Sequence, residues 1–299
     1  IFIITVGTFG IFSNGFSAYT LNQSENKLVK SLKRSVEKNC KKSINECIKI
    51  SSENKSVLLL GDSNAYHFST SLKNVSEQRD LNYIQLTKGG CLPLSNFYRL
   101  DTSDHFNEIC NVFNNKIITE FSDLNHKVDI IVVSAAWLEY LDGNKNLLLQ
   151  FSEQSIKKNE VKLSENGHDE IPNDKKIKLF EKYLFEILSL LSDKSNFLIV
   201  VGPLPPTIVN FKKKSNVLNP DNLPYSFYDK YSENFKNIIN KLNKQISFKY
   251  IDLSNYICDV EYCYTTKNGR YIYGDGSHLS KHGQNQIMKP LFEQLIKIN

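Results

Sequence analysis

Val57-Leu-Leu-Leu-Gly-Asp-Ser-Asn64 is the stretch on which the fold turns. Its apolar run reads as a strand that passes directly into Gly-Asp-Ser, and a helical pattern follows from Ala65 to Leu72. Similar apolar, β-rich runs recur at Tyr83 to Leu86, Ile130 to Ser134, Phe197 to Val201 and Tyr250 to Leu253. Helical patterns lie between them, clearest at Ile177 to Leu191 and Tyr231 to Leu242, with a closing helix around Gln284 to Ile298. Five strands alternating with helices predict a parallel sheet covered on both faces, with the ligand site where loops leave the strands' carboxyl ends.

Ser63 lies at such an end. A serine at the junction of a strand and a helix is surrounded by backbone N–H groups without helical partners, and these stabilise negative charge. That suits a nucleophile whose attack on an ester creates an oxyanion. Gly-Asp-Ser also makes ordinary turns, and Asp62 is read as bracing this one. A second constellation, Tyr273-Gly-Asp-Gly-Ser-His-Leu-Ser-Lys-His-Gly283, precedes the last helix. The spacing of Asp275 and His278 lets a turn bring the carboxylate to Nδ1 of the imidazole while Nε2 faces outward, the arrangement of a general base and its orienting acid.

Gly-Asp-Ser after the first strand and Asp-x-x-His before the last helix, on an alternating α/β frame, resemble the SGNH (GDSL-like) hydrolase superfamily from about Ser56 onward. The resemblance implies a three-layer α/β/α flavodoxin-like fold with a five-stranded parallel sheet and a Ser63, Asp275, His278 triad. It also implies an oxyanion hole from the backbone of Ser63 and a glycine in Thr87-Lys-Gly-Gly-Cys-Leu-Pro-Leu94. Gly89 and Gly90 both qualify, Gly90 being preferred because it precedes Cys91. The third block departs from the pattern. Where the family carries Gly-x-Asn-Asp, this chain has Val133-Ser-Ala-Ala-Trp137, so the asparagine donor is missing.

That departure, the Gly-Cys-x-Pro segment and the closing Asp-x-x-His-Leu-Ser-x-x-Gly resemble one branch: SGNH domains fused to the carboxyl end of membrane acyltransferase-3 proteins. These are O-acetylases of lipopolysaccharide, capsule and related glycans. The branch implies acetyl transfer to a surface glycan outside the cytoplasm. No cofactor is implied in this domain, and acetyl-coenzyme A is the donor upstream, used by the membrane part. The same triad equally serves an esterase or deacetylase, and a degenerate one leaves a glycan-binding module. Trp137 either stacks on a sugar or belongs to the core, and Asn64 either donates a hydrogen bond near Ser63 or is simply a first-turn helix residue.

The bulk properties agree with a folded enzyme domain. Of 299 residues, 40% are hydrophobic and 23% charged, a globular profile. The net charge of +5 is dispersed among acidic and amide residues, which reads as a solvated surface and argues against a nucleic-acid partner. The six cysteines fall into close pairs, Cys40 with Cys47, Cys91 with Cys110 and Cys258 with Cys263. None has CxxC spacing and there is no His-Glu-x-x-His, so disulfides are expected and a metal is not. Residues 1–20 are read as the end of a membrane helix, with a buried core segment as the rival, and 21–52 as a linker. The catalytic domain is expected over 53–299. The polar stretch Ser152 to Lys176 is read as a surface insertion or flap.

Overall fold

The computed structural model describes residues 40, 43–49, 55–141, 162–165, 167–209 and 221–296. The expected membrane helix at 1–20 lies outside these residues.

Strand β1 (Ser56–Gly61) is buried along its whole length. It is followed by β2 (Asn82–Thr87), β3 (Val128–Ser134), β4 (Ser195–Val201) and β5 (Lys249–Ile251). Together they form one sheet in the order β2-β1-β3-β4-β5, and every pair is parallel. All five strands predicted from the sequence are present in this sheet. Their uninterrupted apolar runs follow from coverage on both faces. Leu58, Leu60, Ile131, Val133, Leu198 and Val200 point into one core. The alternate residues Val57, Leu59, Ile130, Val132, Ile199 and Val201 point into the other.

Each core is closed by helices whose apolar residues recur at three- and four-residue spacing. On the first face lie α1 (Ile44–Lys49), α4 (Asp104–Ser122), α5 (Trp137–Leu141), α6 (Asn173–Asp193) and α7 (Tyr225–Leu242). Phe180, Leu184, Leu188 and Leu191 of α6 meet Phe235, Ile238, Ile239 and Leu242 of α7 in that core. The second face carries α2 (Ser63–Tyr66), α3 (Ser69–Glu77) and, after the short α8 (Ser254–Ile257), the carboxyl-terminal helical segment. That segment is α9 (Lys281–Gly283), a π-turn (Gln284–Met288) and α10 (Lys289–Leu295). The expected single closing helix is therefore divided. Pro290, at the start of α10, has no N–H to give to the preceding turn, and the hydrogen-bond ladder widens just before it.

Three expectations for the periphery are settled by packing. All three cysteine pairs are bonded as read from their spacing. The described part of the expected linker is not a loose tether. Cys40 N–H donates to the Gln85 carbonyl on the edge strand β2, Asn82 Nδ2 donates to the Cys47 carbonyl, and Ile44 is 1% exposed in the main core. The described part of the expected flap is likewise fixed: Leu163–Ser164 pairs antiparallel with Tyr98–Arg99, and Leu163 and Ile171 are buried.

The sheet order reverses between β1 and β3, so the loops leaving these two strands part and open a crevice at their carboxyl ends. Gly61 sits at that seam with φ +145°, and a Cβ there would lie 1.7 Å from the Ser134 carbonyl oxygen. Gly61→Ala is expected to cost at least about 3 kcal/mol, from forbidden backbone geometry plus separation of the strands. Urea denaturation measures it, and an unchanged midpoint would refute the close approach.

Candidate active site

Asp62 is the cap of α2 and ties the seam together. Its Oδ1 accepts the Asn64 N–H at 2.7 Å and its Oδ2 accepts the Ala136 N–H at 2.9 Å, from the loop after β3. Both oxygens are spent on backbone, which makes Asp62 the brace that the sequence suggested. The cost is a buried carboxyl group. Burial pushes its pKa up to about 7, against the pull of the two N–H donors; nearby Glu139 raises it further and His278 lowers it.

Ser63 is the first residue of α2, so its N–H has no acceptor one turn back. The helix has only four residues and ends at His67, so local N–H groups outweigh any macrodipole. A Cβ placed on Gly89 would lie 4.0 Å from Ser63 Cβ, which puts the backbone of Gly89 directly beside the serine. Gly90 faces away. With φ +73° it is the third residue of a turn closed by the Cys91 N–H on the Lys88 carbonyl, and a Cβ on it would meet Phe106 at 2.9 Å. The disulfide Cys91–Cys110 and a bond from Tyr140 Oη to the Gly90 carbonyl, 2.9 Å, hold this loop.

The Asp275–His278 pair forms inside a tight hairpin. Tyr273 bridges Leu279, and the Gly274 N–H donates to the His278 carbonyl at 2.7 Å. Asp275 Oδ1 accepts the N–H groups of Ser277 and His278, each at 2.9 Å, so the turn itself aims the carboxylate. His278 Nδ1 then lies 2.9 Å from both carboxylate oxygens. A carboxylate only accepts, so Nδ1 carries the proton and Nε2 is left as the basic nitrogen.

His67 stands between the two parts. Its N–H bonds the Ser63 carbonyl at 3.2 Å, and its ring meets the His278 ring edge-on at 5.3 Å between centroids.

The remaining candidates divide. Asn64 is 6% exposed, directly after Ser63 in α2. Trp137 is 0% exposed; its Nε1 donates to the Val201 carbonyl at 2.9 Å and its ring stacks on Phe235. The sugar-stacking expectation for Trp137 is therefore corrected, because no face of the indole reaches solvent. Its indole N–H found a strand carbonyl at the base of α5, a partner that an isolated Ser-Ala-Ala-Trp motif does not reveal. Among the described residues no group of three or more His, Cys, Asp or Glu side chains is placed to hold a metal ion. Sequence reasoning passed over His67, although its position four residues after Ser63 was the available signal, and Tyr140, three residues after Trp137.

The doubly wound sheet, with Ser63 just beyond its first strand and the Asp275–His278 hairpin before its last helices, is an α/β domain of the SGNH type. A family model described as "SGNH domain (fused to AT3 domains)" matches residues 32–294, and the chain belongs to that family. Its fold is similar to the periplasmic domain of the lipopolysaccharide acetyltransferase of Salmonella ser. Paratyphi A, with TM-score 0.53 and 17% identity over 94% of this chain and 96% of that one. No curated protein matches the chain significantly.

The raised pKa of Asp62 has a stability consequence. Its folded value, about 7, exceeds the ordinary carboxyl value of 3.8, so the stabilisation from its proton is whole below the unfolded pKa and is lost as pH rises through about 7. From pH 5 to 8 the wild type should lose about 1–3 kcal/mol more than Asp62→Asn, by urea denaturation at both pH values. Parallel pH profiles for the two proteins would rule the assignment out.

Proposed function

We propose that this domain transfers an acetyl group to a hydroxyl of a cell-surface glycan through Ser63, His278 and Asp275. The observation that carries the reading is the Asp275–His278 pair, which fixes Nε2 as a base at the rim where Ser63 begins its helix. In the proposed first step Nε2 takes the Ser63 proton as Oγ attacks the acetyl carbonyl, and the collapsing intermediate expels the donor alcohol, which takes that proton back. In the second step the glycan hydroxyl gives its proton to Nε2, attacks the acetyl-serine and leaves as the acetyl ester with Ser63 restored. Asp275 stabilises the imidazolium in both.

The oxyanion is assigned to the N–H groups of Ser63 and Gly89. Gly89 is preferred over Gly90 because a Cβ on it would lie 4.0 Å from Ser63 Cβ. The Ala136 N–H, from the block where the wider SGNH superfamily carries asparagine, is already committed to Asp62. Asn64 is retained as a candidate substrate contact because it follows Ser63 directly.

Acetyl transfer is favoured over simple hydrolysis because the family is one fused to AT3 domains and the similar solved domain is that of a lipopolysaccharide acetyltransferase. On this reading a membrane acyltransferase-3 part, fused or adjacent, anchors the domain and delivers acetyl from acetyl-coenzyme A. The domain then works on the periplasmic or other extracytoplasmic side, where its three disulfides persist.

Incubating the protein with an acetyl-ester donor, with and without lipopolysaccharide or capsule oligosaccharide, tests the reading by mass spectrometry of the sugar. Acetylated sugar is expected, Ser63→Ala should lower turnover at least about 10³-fold, and Asp275→Asn about 10²–10⁴-fold. Acetate release with no acetylated sugar would make it an esterase. Sugar binding with no turnover would make it a binding module, and turnover unaffected by Ser63→Ala would refute the serine reading.

A further inference from the structure

We infer that His67 is a positioning residue that docks the Asp275–His278 hairpin onto the nucleophile helix, an inference resting on the reading in which Ser63 and His278 act together. The hairpin's internal bonds set the tautomer and aim of His278, but they do not determine where the hairpin sits relative to Ser63. His67 supplies that relation. Its Nδ1 accepts the backbone N–H of Leu279, the residue after His278, at 2.8 Å and across 212 residues of sequence. Its own N–H is bonded to the Ser63 carbonyl, and its ring packs edge-on against the His278 ring. It is 1% exposed, so these contacts are made inside the protein and not through solvent. One residue, anchored by its backbone at the end of the Ser63 helix, therefore reaches with its side chain the segment that bears His278.

The bond from Leu279 also fixes the state of His67. A nitrogen that accepts an N–H carries no proton, so the ring is neutral, with its hydrogen on Nε2. A neutral ring beside His278 adds no like charge when His278 becomes cationic during proton transfer. His67 acts through the placement of His278 and touches no substrate in this scheme.

The role is tested with p-nitrophenyl acetate as the probe, following kcat, KM and thermal unfolding of the whole chain. His67→Leu, which removes the acceptor, should lower kcat about 10- to 100-fold while KM stays within about twofold. His67→Asn offers Oδ1 near the place of Nδ1 to the Leu279 N–H, and should hold kcat within about threefold of wild type. A folded His67→Leu with wild-type kcat overturns the inference, as does a folded His67→Asn that loses as much kcat as His67→Leu. Should His67→Leu not fold, His67→Asn decides alone: near-native kcat supports the role and a tenfold loss overturns it. Ser63→Ala separates the two levels. Full turnover in Ser63→Ala refutes the serine reading itself, whereas abolished turnover there with an unaffected His67→Leu refutes only the positioning role.

Discussion

The close approach of β1 and β3 at Gly61 and Ser134 is the constraint from which the site follows. Only a residue without Cβ fits against the Ser134 carbonyl, and the positive φ at Gly61 turns the chain out of the sheet immediately afterwards. Asp62 then closes the seam by binding backbone N–H groups from both departing loops. The two N–H groups gain a carboxyl acceptor, and that group gives up its hydration, which raises its pKa to about 7. Ser63 inherits its position from this exchange. Any side chain at 61, or a brace at 62 that accepted only one N–H, would move the serine relative to Gly89 as well as relative to the loop after β3.

Around that seam the rim is made of loops, and the sheet alone does not order them. Two disulfides serve the rim directly. Cys91–Cys110 pins the Gly89–Gly90 turn to α4, while Cys258–Cys263 closes the chain after α8. In the chain-entropy picture a cross-link of the first kind is worth on the order of 3 kcal/mol, most of it taken from the unfolded state. Tyr140 adds a tie from α5 to the Gly90 carbonyl, so the turn is held from the side of β3 as well. The rim is thus organised by covalent and hydrogen-bonded anchors where helices and strands give no ladder to hold it.

How much of this was legible in the sequence depended on whether the determining contacts were local. The strands were legible because burial on both faces removes the alternation that a half-exposed strand would show, leaving bare apolar runs such as Val57 to Leu60. The cysteine pairs were legible because each lies close in sequence. The Asp275–His278 geometry was legible because one turn, bonded to its own carboxylate, produces it. The packing of residues 43–49 was not legible, since a polar sequence conceals a single buried anchor, Ile44, and the bond from Asn82 Nδ2 of the edge strand to the Cys47 carbonyl. Trp137 was ambiguous because an aromatic at a strand end is compatible with both a core and a rim, and only the Val201 carbonyl and the Phe235 ring decide. The positive φ of Gly90, in the turn that also holds Gly89, is a backbone feature that the bare Gly-Gly pair does not reveal.

The candidate site therefore has two halves of different physical character. The hairpin is self-contained: its carboxylate, imidazole and backbone bonds all come from the consecutive residues Gly274 to His278, and it would keep the same internal geometry wherever it were placed. The serine half depends on the strand seam. A site assembled from such halves is only as well aligned as the contacts joining them, and a displacement of one ångström between reacting groups can cost about a hundredfold in rate. His67 lies at this junction, bonded by backbone to one half and by its ring nitrogen to the other. The local motifs supply the chemical types, and the tertiary bond sets their separation, the quantity on which proton transfer between them would depend.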